Sequence, residues 1–110
     1  MNWHLVTYAD ENFVEQQKYL HQIHKEGFVH HPFNRKQLES TKFYKDHKKI
    51  LDQEKGAGWW LWKPYYILEV LKKSKTNDFI IYSDCGDMFS YGLKPYIETT
   101  LNDNDISLLL

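Results

Sequence analysis

The residues best equipped for chemistry fall in two short stretches. The first is Tyr82-Ser83-Asp84-Cys85-Gly86-Asp87, which follows the apolar run Phe79-Ile80-Ile81. A carboxylate at the end of a buried strand can hold a divalent cation, and the cation can neutralise a diphosphate. Asp84 and Asp87 are the candidate ligands; the direction of Asp87 depends on the turn between them. Gly86 would let a ligand approach the backbone closely. The plain alternative is a solvated turn, since Asp and Gly dominate turns.

The second stretch is Gly56-Ala57-Gly58-Trp59-Trp60-Leu61-Trp62-Lys63-Pro64. Tryptophan can stack on a sugar ring or a base, and a lysine at a helix start can meet a phosphate with help from the helix N-terminus. Trp62 and Lys63 are therefore candidate binding residues. The alternative is that the aromatics are core and Lys63 is solvated; at least one of the three tryptophans is expected to be core. The Gly-x-Gly does not extend to the dinucleotide fingerprint, and the glycine spacing and Lys-Ser/Thr pair of a Walker A loop are missing.

Other reactive types read as structural. His21 and His24 lie three apart and His30-His31 are adjacent, but structural zinc usually draws on cysteines at tighter spacing. The six histidines are expected to pack or face solvent. Cys85 sits beside acids that raise a thiol pKa, so a buried bystander is expected rather than a nucleophile. Residues 42–55 mix five lysines with three acids and read as a solvated helix face.

The elements that must position these residues alternate. Residues 3–8 are β-branched and aromatic and predict a strand. Asp10 is a plausible N-cap for a helix running to about Lys25, with Gly27 as its stop. Phe28-Val29 suggests a short strand interrupted by Pro32. A helix is expected within 36–53, with Phe43, Ile50 and Leu51 inward. Pro64 suits the first position of a further helix, whose Tyr66, Ile67, Val70 and Leu71 repeat at helical spacing. Residues 79–82 predict a strand, a helix is expected from near Pro95, and Ile106 to Leu110 predicts a final strand. This order argues for an α/β domain, layered α/β/α with a mainly parallel sheet. Such sheets bind ligands outside the carboxyl ends of their strands, where Asp10 and Asp84 fall.

The chain has 110 residues, 42% hydrophobic and 26% charged, with 18 aromatics and a formal net charge of −1. That composition suits one small soluble domain and argues against disorder. No apolar stretch approaches the roughly 18 residues of a membrane span, and residues 1–4 do not open a signal peptide. A single cysteine suits a reducing cytoplasm. Residues 1–55 carry nine bases and eight acids, and residues 56–110 five and seven, a balance that argues against a nucleic-acid partner. The apolar run ending at Leu110 stops without a following element, so the chain is expected to be the front part of a larger domain, with an exposed sheet edge open to self-association.

Over residues 3–90 the sequence resembles nucleotide-diphospho-sugar glycosyltransferases of the GT-A fold, in particular the microbial polysaccharide-biosynthesis type. The likeness rests on Gly56-Ala57-Gly58-Trp59-Trp60-Leu61-Trp62-Lys63-Pro64, a helix, and a strand ending Tyr82-Ser83-Asp84-Cys85-Gly86, with Leu5-Val6-Thr7-Tyr8-Ala9-Asp10 similar to the family's first strand. The resemblance implies sugar transfer from a nucleotide-diphospho-sugar donor to a glycan or lipid-linked acceptor, with Mn²⁺ or Mg²⁺ as the cation. It implies that Tyr8, Ala9 and Asp10 face the nucleotide, that Trp62 and Lys63 lie near the diphosphate, and that Asp84 matches the leading acid of the family's Asp-x-Asp motif. Gly86 stands where that motif has its second Asp. The alternatives are a non-catalytic glycan- or protein-binding module and an inactive remnant.

Overall fold

The computed structural model describes residues 2–85 and Glu98. Gly86 and Asp87, the expected helix from Pro95 (apart from Glu98, which is helical) and the expected strand at 106–110 lie outside the described residues.

The described chain is mixed α/β around a three-stranded parallel sheet. Strand β1 (Trp3–Ala9) is central, with β2 (Val29–Asn34) on one side and β3 (Phe79–Tyr82) on the other. Both pairings are parallel, with Leu5 opposite His30 and Ile81. All seven residues of β1 are buried, as expected of a strand covered on both faces. His4, Val6 and Tyr8 point to one face, and Leu5, Thr7 and Ala9 to the other.

Helix α1 (Val14–Ile23) covers the Thr7 face, where Gln17 and Leu20 are buried. The helix starts later than the sequence suggested. The Asp10 carboxylate accepts from the Asn12 amide and its carbonyl from the Phe13 amide, so Asp10 closes a turn instead of capping the helix, and Phe13 is left exposed.

The opposite face carries the main apolar cluster: Val6, Tyr8, Leu38, Leu51, Trp62, Tyr66 and Val70. The single helix expected within 36–53 is three pieces: α2 (Arg35–Glu39), α3 (Lys42–Asp46) and α4 (Lys48–Leu51). Side-chain capping explains the breaks. Asn34 and Gln37 form a capping box before α2, and the Thr41 hydroxyl accepts from the Tyr44 amide before α3. Leu38 and Leu51 are fully buried, whereas Ile50, expected inward, is exposed.

Pro32 does not interrupt β2. It lies within it, tolerated because β2 is an edge strand among the described residues. A short turn, α5 (Gly56–Trp59), precedes helix α6 (Trp62–Lys73). Pro64 is the third residue of α6 and not the first; it remains in the opening turn, where its missing N–H costs no intrahelical bond. Trp62, Tyr66 and Val70, four apart, are the buried stripe of α6.

Candidate functional site

In the strand order β2-β1-β3 the chain builds outward from β1 in both directions, which opens a crevice at the carboxyl ends of β1 and β3. Asp10 follows the first strand and Asp84 the second. Between them lies a cleft of about 460 Å³, lined by Tyr8, Asp10, Asp84 and Cys85 from the strand ends, Phe13 from the turn before α1, and Glu54, Gly56, Ala57, Trp60 and Trp62.

The wall from Gly56 to Trp60 has an unusual backbone. Gly56, Ala57, Gly58, Trp59 and Trp60 all have positive φ, at 61°, 51°, 104°, 57° and 55°. Left-handed backbone costs a residue bearing Cβ about 1–2 kcal/mol, and three of these five bear one. Local bonds offset that cost. The Trp60 amide donates to the Gly56 carbonyl at 3.0 Å, the Trp62 indole N–H donates to the same carbonyl at 3.1 Å, and the Trp59 indole donates to the Gln53 side chain. The Trp60 ring lies directly over Gly56, where a Cβ would stand 2.4 Å from it. The turn thus divides the three tryptophans. Trp62 goes into the core, stacked on Tyr8 with centroids 4.0 Å apart, while Trp59 and Trp60 are each 48% exposed.

The sequence candidates sort as follows. Tyr8 is buried on the cleft wall; burial pushes its hydroxyl up to about 12, against the opposing pull of the Arg35 guanidinium. Ala9 is buried, with its methyl on the α1 face, so only its backbone can meet a ligand. Asp10 is half-buried on the cleft wall. Lys63 and Asp84, 21 positions apart in sequence, form an ion pair: Nζ is 3.3 Å from Oδ1, and the ammonium lies 4.9 Å from the Tyr82 ring centroid. Burial, and then the Asp84 carboxylate, push the Tyr82 hydroxyl far up. Cys85 is buried and its thiol donates to the Tyr8 carbonyl at 3.2 Å. Burial, then Asp84 and Asp10, push that thiol up to about 11, which suits the expected bystander. Gly86 and Asp87 lie outside the described residues.

Among the described residues no three His, Cys, Asp or Glu side chains are grouped to hold a metal ion. The carboxylate oxygens of Asp84, Asp10 and Glu54 on the cleft are nonetheless the hard donors that Mn²⁺ or Mg²⁺ takes.

Glu54 and Arg35 carry no sequence signal of a site, and Phe13, whose spacing with Leu20 and Ile23 predicts one face of the first helix, instead precedes α1 and lines the cleft. Arg35 donates to the Leu51 carbonyl and to Asp52, both at 2.7 Å, and so ties α2 to the end of α4. Gly58 packs against that same Leu51 backbone. No sequence signal marks this clamp, since its partners are 16 and 17 positions away. Compared with protein-family models, curated proteins and solved structures, the chain has no match.

Proposed function

We propose that this chain is the donor-binding part of a glycosyltransferase that transfers a sugar from a nucleotide-diphospho-sugar to a glycan or lipid-linked acceptor, on the nucleotide-binding half of a layered GT-A fold. One observation carries the reading. Three stretches far apart in sequence supply Tyr8 and Asp10, Trp62, and Asp84 to the lining of one cleft at the carboxyl ends of parallel strands, and Lys63 joins it through its ion pair with Asp84.

In the transfer, the acceptor oxygen bonds to the anomeric carbon as the bond from that carbon to the diphosphate breaks, and the acceptor's proton passes to a base. Lys63 offsets the charge developing on the leaving diphosphate. Asp84, with Asp87, would hold Mn²⁺ or Mg²⁺, which supplies further charge neutralisation at the diphosphate. The aromatic wall of Trp60, Trp62 and Tyr8 gives a base or sugar ring a stacking surface.

The test is calorimetric titration with UDP, GDP and their sugars, with and without Mn²⁺. Binding that selects one nucleotide, with its metal-dependent part lost in Asp84→Ala, supports the proposal. A folded chain that binds no nucleotide overturns it.

A second reading, a glycan-binding module, is favoured by the exposed faces of Trp59 and Trp60 and by Lys55, whose ammonium lies 4.9 Å from the Trp59 ring centroid. It predicts binding of free oligosaccharide without nucleotide.

A further inference from the structure

Five of the six histidines cluster around β2 and its neighbours, four of them in two close pairs. Successive residues of a strand point to opposite faces, so His30 and His31 place one imidazole on each side of the sheet. On the α1 side, His30 Nδ1 lies 2.7 Å from His21 Nδ1. On the α6 side, His31 Nε2 lies 2.9 Å from His4 Nδ1, and the rings stack.

The surrounding donors set the protons on the first pair. The Gln17 side-chain amide donates to both the Phe33 carbonyl and Thr7 Oγ1. Thr7 Oγ1 lies 2.7 Å from His21 Nε2, and at the other end of the hydrogen-bond chain the Lys25 carbonyl, which can only accept, lies 3.3 Å from His30 Nε2. His30 therefore donates from Nε2, and with both rings neutral its Nδ1 accepts from His21 Nδ1 while His21 Nε2 accepts from the Thr7 hydroxyl. Every link is satisfied with both imidazoles neutral, and one added proton still fits, because His21 Nε2 can then donate to the second lone pair of Thr7 Oγ1. A contact of 2.7 Å between two nitrogens has room for one hydrogen, so two imidazolium rings cannot share it.

On the other face His4 Nε2 lies 2.9 Å from the Asp78 carboxylate, which also accepts from the amides of Asn2 and Lys75. These bonds hold Asp78 ionised, far below the usual carboxylate range. That face can therefore carry one imidazolium beside Asp78. A second would place two cations across the 2.9 Å contact between His4 and His31.

The other charged groups give no relief. His24, just past the end of α1, and His31 oppose a proton on His21. Burial, then His4, Lys73 at the end of α6 and His30, oppose one on His31.

We infer that the two histidine pairs form an acid-released latch on β2: at neutral pH they fasten this strand to β1 and α1 from both faces, and a second proton on each pair detaches it while β1, β3 and α6 stay together. His21 is held down to about 4, first by burial and then by its histidine neighbours, so release requires acid well below an ordinary histidine. The latch and the cleft share β1, whose Thr7 holds His21 and whose Tyr8 lines the cleft, but no histidine lines the cleft.

Amide hydrogen exchange on the whole chain, corrected for intrinsic rates, tests it between about pH 7.5 and about pH 4. Protection of residues 29–34 is expected to fall about tenfold or more relative to residues 79–82, one pK unit being tenfold. Equal loss in both segments, or retained protection in β2, overturns the latch. His21→Asn and His31→Asn probe the two faces separately, and each is expected to shift release to lower pH. If either variant does not fold, ring ¹⁵N shifts of the wild-type chain at neutral pH decide: His21 protonated on Nδ1 and His30 on Nε2 support the latch, and the reverse tautomers overturn it.

Discussion

Substituting Gly58 with alanine tests whether the left-handed turn is fastened to the core. A methyl group there would stand 2.6 Å from both Cα and O of Leu51 and 2.9 Å from its carbonyl carbon. Those atoms are backbone and have little freedom to move. Leu51 is fully buried, and Arg35 holds its carbonyl at 2.7 Å. A φ of +104° adds strain for any residue with Cβ. Left-handed strain of about 1–2 kcal/mol and overpacking of about 1–3 kcal/mol give a loss of ~2–5 kcal/mol. Against a total stability of ~5–15 kcal/mol this is a large fraction, and the melting temperature is expected to fall by roughly 10 °C or more. Gly56→Ala is the control. Its methyl would meet only the Trp60 ring, which is half exposed and can swing aside, leaving mainly the strain of about 1–2 kcal/mol. Urea unfolding followed by far-ultraviolet circular dichroism measures both variants, with m expected to be unchanged. A Gly58→Ala variant within about 0.5 kcal/mol of the parent, or one less destabilised than Gly56→Ala, would refute the reasoning.

The tryptophans divide in the same assay. Trp62→Ala should lose ~3–5 kcal/mol because it empties a core position, whereas Trp60→Ala should stay within roughly 0.5–1 kcal/mol yet weaken nucleotide-sugar binding in calorimetry; similar stability losses in both would remove Trp60 from the cleft wall. With its thiol raised to about 11, Cys85 should react with a disulfide reagent at about pH 8 roughly a hundredfold more slowly in the folded chain than in urea; comparable rates would mean that the thiol is not held as described. His21 is neutral in the folded state down to about 4, whereas an unfolded histidine binds a proton near 6.5. The unfolded chain therefore takes up the proton first as pH falls, and stability is lost between about pH 6.5 and about pH 4. Discounted for partial exposure, the loss is ~1–2 kcal/mol; a stability profile flat across that window would contradict it.

Local signals located most elements. The β-branched run at 3–8 and the apolar run at 79–82 are strands, and the helical spacing of Tyr66 and Val70 marks α6. Capping chemistry proved harder to place than periodicity. Asp10 resembles an N-cap in sequence, but its carboxylate serves a turn, and the helix waits until Val14. Thr41 in the middle of an expected helix was free to solvate or to cap, and it caps. Pro32 argued against a strand, a conclusion that depends on whether the strand is central or at an edge; that is a property of the sheet.

Sequence by itself determined the chemical kinds available: paired aromatics with one lysine, acids at two strand ends, a cysteine among carboxylates and adjacent histidines. Residue types and nearest-neighbour spacing act over a few positions, and helix, strand and turn preferences follow from them. Only the tertiary structure decided which of these kinds meet. Lys63 reaches Asp84 because β3 returns beside β1, and Trp62 enters the core while Trp60 faces the cleft because the left-handed run from Gly56 ends at Trp60 and the chain turns right-handed into α6 at Leu61. His30 and His31 find partners on opposite faces because β1 and α1 bring His4 and His21 there. Such pairings join residues from 9 to 27 positions apart. Their geometry comes from packing whole elements together, and that information lies in no local stretch of the chain.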